Sequence, residues 1–251
     1  MILEFDVGNS RIKWRLIEAD TLAVCGEGHV SDFVELQCVP EFEASIEFVR
    51  MCSVRDPQVN LSIENWVRES FGVELQRAQV TRSCGGVRNQ YKDLNRLGID
   101  RWLAMLAAYN RAGGACMVID SGTAFTLDVV DEQGLHLGGY IIPGLRLMRS
   151  SLEANTAIRL SQDYGSVSRE LGHSTDEAVF NGTATALLAA INEQAQSLQG
   201  TGPGLKTYFA GGDAELLHRL AGIQSSEVVL SLVLDGLNIV CPWSAQKDGR
   251  A

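Results

Sequence analysis

The sequence predicts an α/β protein made of two related halves, each a mixed sheet flanked by helices. Apolar runs of strand length at Ile2–Val7 and Cys116–Ile119 both lead into an Asp-x-Gly turn, with further strands behind it. Phe5-Asp6-Val7-Gly8-Asn9-Ser10 is echoed by Ile119-Asp120-Ser121-Gly122-Thr123-Ala124, a self-similarity that points to duplication. The 251 residues, 45% of them hydrophobic and only five of them proline, suffice for two modest domains, each able to bury a core.

In the first half, antiparallel strands are expected at Ile2–Val7, Ile12–Ile17 and Thr21–Val30, with another strand near Ile46–Val54. A helix over Gln58–Phe71 would bury Leu61, Trp66, Val67 and Phe71 on roughly one face, and a short strand follows at Val73–Ala78. Thr81–Gly98 has no clear period and reads as a long connection, a kind of segment that often carries function. A helix from Asp100 to Ala112 ends at Gly113-Gly114, which divides the chain into halves 1–112 and 113–251. Its stripe of Trp102, Leu103, Leu106 and Tyr109 suits a core or an interface.

The second half repeats the order, with strands at Phe125–Val130 and Leu135–Ile142 after the Asp-x-Gly turn. Helices are expected at Leu145–Glu153 and from a capping box, Ser174 with Glu177, through Ala195. Lys206–Ala210 reads as a strand, Gly211-Gly212 as a turn, and Asp213–Leu220 as a helix burying Leu216, Leu217 and Leu220. Gly200–Gly204 reads as a flexible link and the tail from Ser244 as frayed. Halves that face one another make the cleft between them the expected ligand site.

Charge narrows the function. Twenty-one Lys and Arg against 31 Asp and Glu give a net charge of −10, which repels phosphate backbones and anionic lipid. Neither nucleic acid nor membrane is therefore an expected partner. The six cysteines form no C-x-x-C, no apolar stretch reaches the ~18 residues of a membrane span, and the start Met-Ile-Leu-Glu-Phe-Asp lacks the basic and apolar regions of a signal peptide. A cytoplasmic location is expected.

An Asp at a strand end with Gly two residues on sets a carboxylate beside bare backbone, an arrangement suited to phosphate and metal. A single copy would read more simply as a turn, whereas two copies in matching contexts favour the phosphate reading. Asn9, Ser10 and Thr123 can donate to phosphoryl oxygens, Asp6 or Asp120 can hold a cation, and Lys13 adds compensating charge. The chain has no G-x-x-x-x-G-K-[ST] and no strand-borne G-x-G-x-x-G, which disfavours P-loop and Rossmann readings.

These residues resemble the type III pantothenate kinases of the actin/hexokinase/Hsp70-like superfamily, across the whole chain. Asp6-Val7-Gly8-Asn9-Ser10-Arg11-Ile12-Lys13 is similar to the family's first phosphate motif and Asp120-Ser121-Gly122-Thr123-Ala124 to its second. Asn89-Gln90-Tyr91 with Leu97-Gly98-Ile99-Asp100-Arg101 resembles its pantothenate and catalytic segment, and Gly138-Gly139-Tyr140-Ile141-Ile142-Pro143-Gly144 its glycine-proline motif. The resemblance implies two duplicated ribonuclease H-like (actin-like ATPase) domains and phosphorylation of pantothenate by ATP with Mg2+, the first step of coenzyme A biosynthesis.

By the same resemblance Asp100 is the general base; Asp6, Val7, Gly8, Asn9, Ser10, Arg11, Ile12, Lys13, Gly122 and Thr123 bind ATP; and Tyr91, Gly98, Ile99, Asp100, Arg101 and Thr175 bind pantothenate. Asp120 would hold a monovalent cation, K+ or NH4+, and the protein would be a homodimer. Ala210-Gly211-Gly212 departs from the family's Thr-Gly-Gly, removing a hydroxyl near the expected nucleotide. Alternative readings are a non-catalytic regulatory accessory protein, opposed by the retained Asp100-Arg101, and a kinase for another small hydroxyl substrate, opposed by Tyr91 and the Gly98–Arg101 segment.

Overall fold

The computed structural model describes residues 1–161, 166–198 and 204–243. Most of the expected link at 200–204 and the tail from Ser244 lie outside these residues. The chain groups into two compact units, the first made of Met1–Gly85, Tyr91–Ala107 and the described residues from Val233 onward, the second of Gly86–Gln90 and Ala108–Leu232.

In the first unit β1 (Ile2–Val7), β2 (Ile12–Ile17) and β3 (Val24–Val30) run antiparallel, as the sequence predicts. β3 begins at Val24 rather than near Thr21, because the Glu18 N–H donates to the Ala23 carbonyl and Leu22 takes a left-handed φ of 58°, closing a turn. After the short α1 (Phe33–Leu36), β4 (Phe48–Ser53) pairs parallel with β1, α2 (Pro57–Phe71) crosses, and β5 (Leu75–Arg77) pairs parallel with β4. The sheet order is β3-β2-β1-β4-β5. One expectation for α2 fails: Leu61 is 54% exposed, and the buried face is Asn60, Ile63 and Val67, with Trp66 and Phe71 packed beside it. Asn60 sets this phase, since its side-chain oxygen accepts from the Ser53 hydroxyl at the end of β4.

The 81–98 connection is less irregular than its composition suggests. It holds β6 (Ser83–Cys84), β7 (Val87–Arg88) and a 3-10 turn at Leu94–Arg96 before α3 (Ile99–Ala112). Trp102, Leu103 and Leu106 of α3 are fully buried, whereas Tyr109 is half-buried.

In the second unit β8 (Cys116–Ser121), β9 (Ala124–Val130) and β10 (His136–Pro143) are antiparallel, followed by α4 (Leu145–Asn155) and α5 (Thr175–Ser197). Ser174 caps α5 by accepting from the Glu177 N–H, while the Glu177 carboxylate reaches back to the His173 N–H, one residue beyond the expected box. β11 (Lys206–Ala210), α6 (Ala214–Ala221) and the unforeseen β12 (Ser226–Val228) complete a sheet of order β10-β9-β8-β11-β12. This is the first unit's order repeated strand for strand. Of the three leucines expected inside from α6, Leu217 is fully buried and Leu216 and Leu220 are partly so.

The last helix among the described residues, absent from the sequence reading, is α7 (Leu232–Val240), grouped from Val233 onward with the first unit. A buried ionic chain fastens it to the sheet. Asp235 pairs with Arg15, Arg15 with Glu4, and Glu4 with Arg50, while Arg50 also donates to the Asn238 side chain and the Cys241 carbonyl. Glu4 and Arg50 are 0% exposed. Charges so removed from water persist only when paired and fully bonded, which is what the chain supplies.

Candidate active site

β1 delivers Asp6 to its C-terminal end, in register with Lys13 on β2 and Cys52 on β4. Lys13 Nζ lies 3.8 Å from the nearly buried Asp6 carboxylate. Val7 and Ile12 close the strand pair as buried anchors, and between them the Gly8 N–H donates to the Arg11 carbonyl at 3.0 Å, so the intervening residues form a turn. Asn9, Ser10 and Arg11 on that turn are exposed. Sequence reasoning missed Arg55, which donates from Nε to the Gly8 carbonyl at 2.6 Å and from Nη2 to the Asn9 carbonyl at 3.0 Å.

Asp100 stands in the first turn of α3, its Oδ1 accepting the Arg101 N–H at 2.8 Å, the local bond a helix start favours. Gly98 lets the carboxylate sit close, because a Cβ at that position would lie 2.5 Å from the same oxygen and the Asp100 side chain would have to turn aside. Burial first, then the negative charges of Asp6 and Asp100, push the Cys52 thiol well above its ordinary value. One buried sulfur thus feels the carboxylate beside the Gly8 turn and the carboxylate that opens α3. Arg101, also buried, donates to the Tyr91 hydroxyl at 3.0 Å and sets its guanidinium 5.8 Å from the ring centre. Ile99 is half-buried at the start of α3, and Arg82 holds the Tyr91 carbonyl at 2.8 Å.

The second unit builds its own turn. Asp120 and Ser121 end β8, the Gly122 N–H donates to the Ala124 carbonyl at 2.9 Å, and Thr123 is exposed. Two glycines press against it: a Cβ on Gly144 would meet the Thr123 carbonyl oxygen at 2.8 Å, and one on Gly211, whose φ is +87°, would meet Asp120 Oδ1 at 2.7 Å. Asp213 lies beside this turn, its carboxylate 3.3 Å from the Ser121 hydroxyl and its N–H 3.0 Å from the Ser121 carbonyl. The Gly-Gly-Asp turn directly after strand Lys206–Ala210 was the available signal for it. Thr175 is exposed at the start of α5 and belongs to this unit with Asp120, whereas Tyr91 and Gly98–Arg101 belong to the first.

Among the described residues no group of three or more His, Cys, Asp and Glu side chains is placed to hold a metal ion. A cavity of about 390 Å3 lined by Phe42, Trp66 and Phe71 contains none of the sequence-predicted site residues; the chemistry-bearing groups lie at the strand ends instead.

A five-stranded sheet of one order occurring twice, each copy ending its first strand in an acidic glycine turn, is the duplicated actin-like fold. Solved structures agree on the fold. A Campylobacter jejuni protein described as a Baf family transcriptional activator is 19% identical with a TM-score of 0.59, covering 94% of this chain and 95% of its own. A Sinorhizobium meliloti protein described as a 2-dehydro-3-deoxygalactonokinase is 12% identical with a TM-score of 0.58, covering 95% and 97%.

The chain belongs to the type III pantothenate kinase family, whose model matches residues 2–197. The type III pantothenate kinase of Pseudomonas aeruginosa LESB58 is 40% identical over 250 residues, covering 96% of this chain and 99% of that protein. That of Pseudomonas putida W619 is 41% identical over 252 residues, with the same coverage.

Proposed function

We propose that the chain transfers the γ-phosphoryl group of ATP to the primary hydroxyl of pantothenate, yielding 4′-phosphopantothenate and opening coenzyme A biosynthesis. The observation that carries this reading is the Asp6–Gly8 turn at the end of β1, with Lys13 Nζ 3.8 Å from the Asp6 carboxylate, beside an α3 start where the buried Arg101 next to Asp100 donates to the Tyr91 hydroxyl. Asp100 accepts the hydroxyl proton as the new P–O bond forms and the bond to ADP breaks. Phosphoryl transfer asks little else of a protein beyond positioning and charge neutralisation.

The Asp6–Lys13 segment, with Gly122 and Thr123, binds the ATP phosphates. Tyr91, Gly98–Arg101 and Thr175 bind pantothenate, Arg101 offering a fork of donors to its carboxylate. Magnesium is usually carried by one or two carboxylates plus substrate phosphates rather than by a protein cage, which suits a single strand-end acid such as Asp6. When bound, it neutralises charge on the transferring group. Asp120 holds the monovalent cation, K+ or NH4+, through hard oxygen ligands.

The protein acts as a homodimer, a reading supported by the exposure of Leu137, Tyr140 and Ile141 on edge strand β10 and of Leu147 on α4. It works in the cytoplasm, a reading supported by its six free thiols. No helix among the described residues is long and apolar enough to cross a membrane.

Coupled ADP release with ATP, Mg2+, K+ and a panel of pantothenate, sugars and small acids tests the assignment, with pantothenate alone expected to be turned over. Asp100→Asn is expected to lower kcat by about 10²–10⁴-fold while calorimetry still registers pantothenate binding. Turnover at the parent rate in that variant would remove Asp100 as the base.

A further inference from the structure

We infer that Arg55 is a positioning residue for the nucleotide, acting through the carbonyl side of the Gly8–Arg11 turn. The inference rests on the reading that this turn receives the ATP phosphates. Arg55 Nε and Nη2 donate to two consecutive carbonyls, those of Gly8 and Asn9, at 2.6 and 3.0 Å. A guanidinium is a rigid planar fork, so these bonds fix the directions of both carbonyls. Each carbonyl shares a planar trans peptide with the next residue's N–H, which points the opposite way. Holding the Gly8 and Asn9 oxygens on one side therefore turns the Asn9 and Ser10 amides to the other. Successive amides aimed together form an anion-binding concavity. Arg55 also draws two partially negative oxygens toward itself and fixes a full positive charge behind the turn.

Arg55 is anchored independently of the turn it serves. Its own N–H donates to the Ser53 hydroxyl at 3.2 Å, and its carbonyl accepts from the Asn60 amide at 3.4 Å. Ser53 donates to Asn60, which is only 2% exposed on the buried face of α2, and the Val54 N–H donates to the Val7 carbonyl at 3.2 Å. The β4–α2 junction thus sets where the guanidinium sits, and the guanidinium sets the turn. The buried hydrogen bonds of Ser53 and Asn60 transmit rigidity from the sheet and helix to a loop that has little of its own.

Steady-state kinetics on the full chain with separate ATP and pantothenate titrations test this. Arg55→Ala is expected to raise KM for ATP about tenfold or more, the loss of a charge-assisted hydrogen bond, with KM for pantothenate within about twofold of the parent. Arg55→Lys, which keeps the charge but loses the fork, should fall between the two, and added guanidinium at non-denaturing concentration should restore part of the ATP affinity of Arg55→Ala. Lys13→Ala serves as the control for the turn. If Lys13→Ala raises KM for ATP and Arg55→Ala does not, the role of Arg55 is overturned alone; if neither does, the phosphate reading of the turn falls and takes the Arg55 role with it. Equal rises in both KM values for Arg55→Ala, with Lys no better than Ala, would mark a merely structural side chain and also overturn the inference.

Discussion

Burial raises the carboxyl pKa of Asp213 above its ordinary value, against the opposing pull of the Ser121 hydroxyl and of the Arg149 and Arg146 guanidinium groups. Between the ordinary value of 3.8 and the raised one, the folded state binds more protons at Asp213 than the unfolded chain does. Stability from this residue is then present at lower pH and declines as pH rises through that window. Asp213→Asn is expected to remove the decline, leaving a flatter dependence of urea midpoint on pH above the ordinary carboxylate range; an unaltered slope would show that another group causes it. Asp6 and Asp120 were legible as candidates because each sits in a short motif whose chemistry is local, whereas Asp100, by itself only an acid at a helix start, was legible through the family resemblance alone. Arg55 and Asp213 were not, since what distinguishes them is a partner 47 residues away at Gly8 in one case and 92 away at Ser121 in the other.

Among the elements, strands that end in Asp-x-Gly were readable from apolar period and turn residues, whereas α7 was not. Its residues Leu232–Val240 are a short, mostly apolar run interrupted by a glycine, too brief for period alone to separate a helix from a buried strand. The same glycine shows why the helix exists. A Cβ on Gly236 would stand 2.7 Å from the Leu103 carbonyl carbon and 2.8 Å from its Cα, so α7 meets the backbone of α3 one turn beyond Asp100 and Arg101. By helix propensity alone Gly236→Ala should stabilise by about 1 kcal/mol. The close approach reverses the sign: we expect destabilisation of about 1–3 kcal/mol by urea unfolding, because the added carbon must push one helix off the other. A variant more stable than the parent would show that the two helices can separate at no cost. The misjudged phase of α2 has a similar origin, since a buried Asn60 bonded to Ser53 outweighs an apolar Leu61 when the helix chooses its face.

For the molecule as a whole, the duplication was the most legible property, because a repeated motif followed by repeated strand order leaves a trace that needs no long-range information. Identical orders of β3-β2-β1-β4-β5 and β10-β9-β8-β11-β12 are that trace in three dimensions. β10 exposes Ile141 to 66%, and an edge strand that leaves apolar side chains and unpaired backbone to water invites another chain to cover it. Sedimentation at micromolar concentration is expected to show a dimer for the parent and a monomer for Ile141→Asp. A parent that sediments as a monomer would end the homodimer reading, and a dimeric variant would move the interface elsewhere.

The ionic chain through Glu4 gives the order of synthesis a role in folding. Strands β1, β2 and β4 leave the ribosome early, yet Arg50 finds its carbonyl acceptor at Cys241, 191 residues later. Until that distant stretch emerges, Arg15 lacks Asp235 and Arg50 lacks Asn238, so the earliest sheet cannot dehydrate its centre cheaply. The first part of the protein to be made is therefore among the last to be finished, and a nascent chain released before Asp235 would keep a wet seam where the mature protein is dry.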